Sequence, residues 1–169
     1  YLRKKGQAVA AKRSDREAAE GCVLVKVADG FGAIIALKCE TDFVANNADF
    51  VALTQQILDA AVANKCKSLE EVNALPMGDG TVADAVTARS GITGEKMELD
   101  GYSYIEGDNI CTYNHMNRNG LCAMVAFSAP VEAEVGKNVA MQVASAAPVA
   151  IDETGVPQAV KDNEIAVAI

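Results

Sequence analysis

Two apolar strand patterns and one amphipathic helix pattern dominate the first part of the chain. Residues 22–27 and 31–39 are mostly apolar, and Asp29-Gly30 between them favours the positive φ angles of a two-residue hairpin turn. From residue 48 to 65, apolar positions recur at helical spacing. This part is therefore predicted to be an antiparallel hairpin covered by a helix.

Alternation within the first strand predicts which of its faces is buried. Val23, Val25 and Val27 share one face, and Lys26 lies on the other. An antiparallel sheet commonly packs one face on the core and leaves the other partly in water. The valine face is therefore predicted to face the core.

Three further helices are predicted in the first half, at residues 2–20, 68–72 and 81–89. Gly6 is a weak point in the first of them. Ser90-Gly91 lies where a left-handed cap would end the third. Residues 76–80 are interpreted as a loop, because they contain a proline and two glycines.

The second half of the chain again places strand patterns before helix patterns. Strands are predicted at residues 97–105, 110–116 and 121–128, and helices at residues 132–146 and 156–169. Short turns separate the strands, which predicts a three-stranded antiparallel meander. In the first helix Val135, Val139 and Val143 are expected to face inward, and Pro148 ends it.

The two halves resemble each other at a fixed offset of 88 residues, which brings Gly32 onto Gly120 and Val51 onto Val139. We therefore predict an α+β fold of two pseudo-repeated subdomains, each an antiparallel sheet packed with helices. The predicted parts are the end of an N-terminal region or linker helix at 1–16, the two core subdomains at 17–94 and 95–151, and the start of a truncated C-terminal helical segment at 152–169.

Charge and hydropathy limit the possible partners. The formal net charge is -8, although residues 1–16 carry six basic groups and one acid. An acidic body repels phosphates, so the basic arm is interpreted as a solvated helix or linker, and no direct nucleic-acid contact is predicted. No apolar run approaches the ~20 residues of a membrane helix. We expect a soluble, cytoplasmic protein without a membrane partner.

The chain offers no convincing active site or metal site. Its five cysteines are odd in number and have no C-x-x-C spacing, and His115 is the only histidine. No G-x-S-x-G corner presents a nucleophile, and residues 91–96 lack the spacing of a phosphate-binding loop. We therefore predict no catalytic residue, no cofactor, no metal and no small-molecule substrate, and the protein is not expected to be an enzyme.

The most informative stretch is residues 40–45, between the second strand and the long helix. Thr41 or Asp42 can cap the free N–H groups of a tight corner, which would hold Phe43 outward on a stiff support. The alternative is that Phe43 packs back against Phe50 as a hydrophobic staple. Solvent exposure of Phe43 distinguishes the two interpretations.

The sequence Glu-Thr-Asp-Phe-Val-Ala-Asn at residues 40–46 resembles the signature of the elongation factor Ts family. Further matching motifs lie before and after this stretch, in the family's order. They are at residues 2–6, 12–14, 113–115, 119–121, 138–144 and 147–148. The resemblance covers nearly the whole chain. One departure is Gln142, where many members of the family carry histidine.

The resemblance implies a function by contact with a partner protein, elongation factor Tu. It implies that the chain promotes GDP release by displacing the magnesium ion and the phosphate-binding elements of that partner. Phe43 would be an apolar wedge, Asp42 would hydrogen-bond the partner, and Thr41 and Val44 would fix the corner. A second implied contact consists of His115 and Met116.

Two alternatives stay open from the residues alone. The chain could be a non-catalytic α+β interaction module in which Phe43 belongs to the core. It could also be a small ligand-binding or enzyme domain centred on His115, which would require a pocket with converging polar groups.

Overall fold

The computed structural model describes residues 1–168, and the predicted α+β class is confirmed. In chain order the elements are α1 (Leu2–Lys12), β1 (Glu20–Ala28), β2 (Phe31–Cys39), α2 (Asp42–Ala45), α3 (Ala48–Ala63), α4 (Leu69–Ala74), β3 (Pro76–Met77), β4 (Gly80–Thr81), α5 (Val82–Thr93), β5 (Glu98–Glu106), β6 (Asn109–Asn114), β7 (Cys122–Phe127), α6 (Ala133–Ala146) and α7 (Gln158–Ala168). Ile169, the last residue of the predicted final helix, lies outside the described residues.

The central sheet is antiparallel and has the strand order β1-β2-β5. Strands β1 and β2 form the predicted hairpin, with Leu24 opposite Ile35. At its turn, Asp29 and Gly30 have φ angles of 51° and 73°, which match the right-handed twist of the flanking strands. The hairpin prediction is therefore confirmed.

Helix α3 covers one face of this sheet. The shared core contains alternate residues of the strands and one stripe of the helix: Cys22, Leu24, Phe31, Ala33, Ile35, Leu37, Cys39, Phe50, Ile57, Leu58, Ala61 and Val62. The strand positions repeat every second residue and the helix positions every three or four, as one-sided burial requires. The predicted helix over residues 48–65 is confirmed, with its last turn ending at Ala63.

The predicted core face of β1 is wrong. Cys22 and Leu24 are buried under α3, whereas Val23 and Val25 are only half-buried on the opposite face. Lys26 shares the α3 face because its long stem carries the ammonium group to Asp59 of α3, 2.7 Å away. A single lysine was therefore a poor marker of the solvent face.

The predicted meander of β5, β6 and β7 is also wrong. Strand β5 pairs antiparallel with β2, and β6 pairs only with β7. Tyr104 of β5 stacks on Phe31 of β2 with ring centroids 5.5 Å apart, and pairing with β5 satisfies the outer backbone groups of buried β2. The division at residue 94 stays a prediction, although β5, which follows this residue, pairs with β2, which precedes it.

The hairpin-then-helix order recurs as β6, β7 and α6, but the inward face of α6 differs from the prediction. Gly136 and Ala140 are the buried positions, while Val135 and Val139 are 49% and 37% exposed. Gly136 brings the helix so close to β6 that an added Cβ would overlap the Cys111 thiol. Small residues therefore form this contact, Val135 and Val139 are left toward solvent, and Val143 is half-buried.

Helix α5 continues through the predicted stop at Ser90-Gly91 and ends at Gly94, which has the left-handed φ of 78°. Gly91 lies inside the contact with α1, where an added Cβ would come within 2.7 Å of the Leu2 carbonyl oxygen. Gly6 of α1 faces the backbone of α5 in the same contact. Both glycines serve close helix packing, which explains why they are tolerated inside helices.

Two boundaries also differ from the predictions. Helix α1 ends at Lys12 rather than near residue 20, where β1 already begins. The predicted loop at residues 76–80 contains the short hairpin of β3 and β4. The predicted cap of the short fourth helix is confirmed, since the Ser68 hydroxyl accepts from the Glu71 N–H at 3.2 Å.

Replacement of Gly6 by alanine should destabilise the protein by about 1–3 kcal/mol, because the new methyl group overlaps the backbone carbonyl of Thr87. A backbone atom cannot rotate away as a side chain can. Urea unfolding followed by circular dichroism measures the loss. Gly120→Ala is the matched control, since an added Cβ there has no neighbour within 4 Å. Equal unfolding free energies for the two variants would contradict this packing.

Candidate partner-binding site

The corner between β2 and α2 is built by Thr41. This residue has the extended backbone of an N-cap, with φ -125° and ψ 152°, and its hydroxyl accepts from the Val44 N–H at 3.4 Å. Strand β2 ends at Cys39, so only Glu40 and Thr41 separate the sheet from the first helical residue, Asp42. The chain therefore passes from strand to helix within two residues.

Phe43 stands at the outer side of this corner. Its side chain is 85% exposed, whereas Phe50 of the following helix is fully buried. Val44 packs partly against the core and Ala45 is buried, so the turn is fixed on its inner side. The staple between Phe43 and Phe50 therefore does not form, and a large apolar ring projects from a firmly held support.

A carboxylate that the sequence patterns did not single out holds the corner from behind. Glu95 Oε2 accepts from the backbone N–H groups of Glu40 at 3.0 Å and Thr41 at 3.1 Å. Its Oε1 accepts from the Thr41 hydroxyl at 2.6 Å. Because 54 residues separate Glu95 from Thr41, no local spacing could have revealed the contact.

Glu40 in turn forms a hydrogen bond with the segment that follows α5. One carboxylate oxygen accepts from the Lys96 N–H at 2.6 Å, and the other from the Arg13 guanidinium at 2.6 Å. The Glu40 side chain is only 11% exposed, so the carboxylate end of both bonds is shielded from water. The corner and the segment after α5 are thus joined twice, because Glu95 accepts from the corner and Glu40 accepts from Lys96.

The far end of α2 is fixed as well. The Asn46 side chain donates to the Asp42 carbonyl at 2.8 Å, and the Asn47 side chain caps α3 by accepting from the Asp49 N–H at 3.0 Å. Arg89 of α5 donates to the same Asn47 oxygen at 2.9 Å. Both ends of the corner are therefore attached to α5 or to the residues just after it.

The buried thiol of Cys39, beneath the corner, has low reactivity. Burial, and then the negative charge of Glu95, raise the pKa of Cys39 to about 11. The thiol donates to the Thr41 carbonyl oxygen at 3.2 Å. It stays protonated at neutral pH, so this thiol does not act as a nucleophile.

The second pair of predicted contact residues lies on the other hairpin, in a 3-10 turn at His115–Asn117 between β6 and β7. Met116 is 61% exposed and has a left-handed φ of 52°. The His115 Nδ1 atom lies 3.0 Å from the Tyr113 hydroxyl. The pair lies between β6 and β7, whereas Phe43 lies in α2, so two separate elements of the fold carry the predicted site residues.

The hollow beside His115 does not resemble an active site. It has a volume of about 430 Å³ and is lined by Tyr113, His115, Leu121, Met141, Gln142, Ala144 and Ser145. This lining includes no carboxylate or cysteine that could act with the imidazole. Within residues 1–168, no three His, Cys, Asp or Glu side chains are grouped to hold a metal, and no helix there is long and apolar enough to cross a membrane.

Comparisons with known proteins agree on one family. The family model described as Elongation factor TS matches residues 40–169. Elongation factor Ts of Bacteroides fragilis is 74% identical over 168 residues, which are 99% of this chain and 51% of that relative. For Bacteroides thetaiotaomicron the identity is 68%, with 99% and 51% covered, and for Porphyromonas gingivalis it is 54%, with 99% and 61% covered. The chain spans about half the length of the first two relatives.

Proposed function

Because the chain belongs to the elongation factor Ts family, we propose that it binds elongation factor Tu and promotes the release of GDP, which allows exchange for GTP. The observation that carries this proposal is the 85% exposure of Phe43 at the tip of a corner that is hydrogen-bonded from behind. We expect this activity in the cytoplasm, where translation elongation takes place.

Exchange by contact requires a difference in affinity rather than covalent chemistry. A protein that binds the nucleotide-free partner more tightly than the GDP-bound partner weakens GDP binding by the same factor. Mg²⁺ demands near-ideal octahedral geometry at short distances, so a small shift of its surroundings in the partner lowers its affinity. An apolar wedge at that point therefore favours the nucleotide-free state.

We assign the steps to residues of the corner. Phe43 inserts into the partner and disturbs the magnesium ion and the phosphate-binding elements, while the exposed Asp42 hydrogen-bonds partner groups. Thr41 and Val44 keep the corner in one geometry, through the cap and through packing on the core. A preorganised corner loses little conformational entropy on binding, which leaves more of the contact energy for displacement.

The turn at His115 and Met116 supplies a second contact in this proposal. Met116 is an exposed, adaptable apolar side chain, and Leu121 beside the same turn is 44% exposed. A contact on a separate hairpin would add affinity for the partner in all of its nucleotide states. We therefore expect this surface to affect binding more than the rate of release.

The proposal is tested by titrating the chain into elongation factor Tu loaded with fluorescent GDP. We expect the release rate to rise and to saturate, and to rise less in excess Mg²⁺. Calorimetry gives the affinities for the GDP-bound and nucleotide-free partner, and their ratio must equal the factor by which the chain weakens GDP binding. No acceleration, together with equal affinity for the two states, would refute the proposal.

A further inference from the structure

The carboxylate of Glu95 makes three hydrogen bonds to the corner that carries Phe43, at 2.6 Å, 3.0 Å and 3.1 Å. We infer that Glu95 is a positioning residue for the exchange reaction, an inference that rests on the proposed function. It fixes the backbone at Glu40 and Thr41 and thereby sets the direction in which Phe43 projects. Glu95 acts through these groups and not by touching the partner.

The corner needs such support because α2 has only four residues. An isolated helix of one turn is unstable, since nucleation costs more than one hydrogen bond returns. The internal cap from Val44 N–H to the Thr41 hydroxyl is long, at 3.4 Å, whereas the bond from that hydroxyl to Glu95 is 2.6 Å. Bonds to an ionised acceptor are roughly twice as strong as neutral ones. Glu95 therefore provides the firmer hold on Thr41.

Glu95 is itself held in place. Its carbonyl oxygen accepts from the hydroxyl of the buried Ser90 at 2.6 Å, and its N–H donates to the Thr93 hydroxyl at 3.2 Å. Glycine at position 94 caps α5 with a left-handed backbone, which turns the chain toward the corner directly before Glu95. The carboxylate is thus mounted on a helix end and not on a free loop.

The hydrogen-bond donors of the corner match the acceptor atoms of Glu95. Two N–H groups and one hydroxyl all donate, and an ionised carboxylate only accepts. Glutamine at the same position has almost the same size, but it carries no charge, and an amide nitrogen takes the place of one of the two accepting oxygens. Glu95→Gln therefore removes the charge and part of the hydrogen bonding while keeping the volume of the side chain.

The test compares the parent chain, Glu95→Gln and Glu98→Gln in the GDP-release titration. We expect Glu95→Gln to lower the maximal release rate roughly ten-fold, the effect of losing hydrogen bonds to a charged group, and to leave the half-saturating concentration within about two-fold. Glu98 is the matched control, because it lies near the corner and pairs with Lys96 at 2.9 Å without contacting the Phe43 corner. The Glu98→Gln variant should therefore give the same maximal rate of GDP release as the parent chain.

Amide hydrogen exchange gives a readout that does not depend on activity. In Glu95→Gln the N–H groups of Glu40 and Thr41 should exchange faster, while the strands of the central sheet keep their protection. A loss of protection throughout the sheet would mean that Glu95 serves overall stability, and it would overturn the inference.

The outcomes separate the inference from the function on which it rests. An active parent chain and a Glu95→Gln variant with the same maximal rate would overturn the positioning role alone. An inactive parent chain would overturn the proposed function and the inference with it. Should Glu95→Gln fail to fold, Thr41→Val replaces it, because that change removes the bonded hydroxyl without a change of charge. A Thr41→Val variant with the parent's maximal rate would equally overturn the inference.

Discussion

Replacement of Phe43 by alanine should abolish most of the acceleration of GDP release and leave the fold unchanged. Exposed aromatic residues that dominate an interface typically contribute about 2 kcal/mol or more, which corresponds to a factor of roughly 30 in rate. The ring is 85% exposed, so its removal uncovers almost no core surface. Alanine also favours helix more than phenylalanine does, and α2 should therefore persist.

The measurement is the maximal release rate from elongation factor Tu, together with a urea unfolding curve for each protein. We expect the unfolding free energy to change by less than about 0.5 kcal/mol, as is usual for an exposed position. Ile165→Ala is the control, because Ile165 is another exposed apolar residue, 58% accessible, on α7. A Phe43→Ala variant that releases GDP as fast as the parent would exclude the wedge.

Features set by neighbouring residues could be predicted from the sequence. Asp29-Gly30 fixes the first hairpin turn, and the spacing of apolar residues fixes α3, because both depend on backbone preferences within a few positions. The polar corner after β2 was predictable for the same reason, since Thr41 needs only the N–H group of Val44 to act as a cap.

Features set by distant contacts could not be predicted. Strand β5 has an ordinary strand pattern, and nothing within it states that its partner is β2 and not β6. Gly6 and Gly91 look like helix weak points until α1 and α5 are placed in contact. Glu95 is one acidic residue in a short connection, and only the folded chain brings it to Thr41. Each case depends on where a second segment lies.

Replacement of Phe50 by alanine should lower the free energy of unfolding and leave the rate of GDP release unchanged, whereas replacement of Phe43 should lower the rate and leave the stability unchanged. Phe50 is fully buried in the core beneath the central sheet, and its carbonyl oxygen accepts from the buried Thr54 hydroxyl at 2.9 Å. Deletion of a buried phenylalanine ring costs about 3–5 kcal/mol, because apolar burial is lost and a cavity stays behind. That is a large part of the 5–15 kcal/mol by which an ordinary domain is stable.

The two phenylalanines therefore provide a paired test of the corner. In urea unfolding, Phe50→Ala should lose about 3–5 kcal/mol, and Phe50→Leu should lose clearly less, because leucine refills much of the space. At low temperature, where the variant stays folded, its maximal release rate per folded molecule should equal that of the parent, since the exposed ring of Phe43 is unaltered. A fully folded Phe50→Ala protein with a reduced maximal rate would show that the core beneath α3 also determines the position of Phe43.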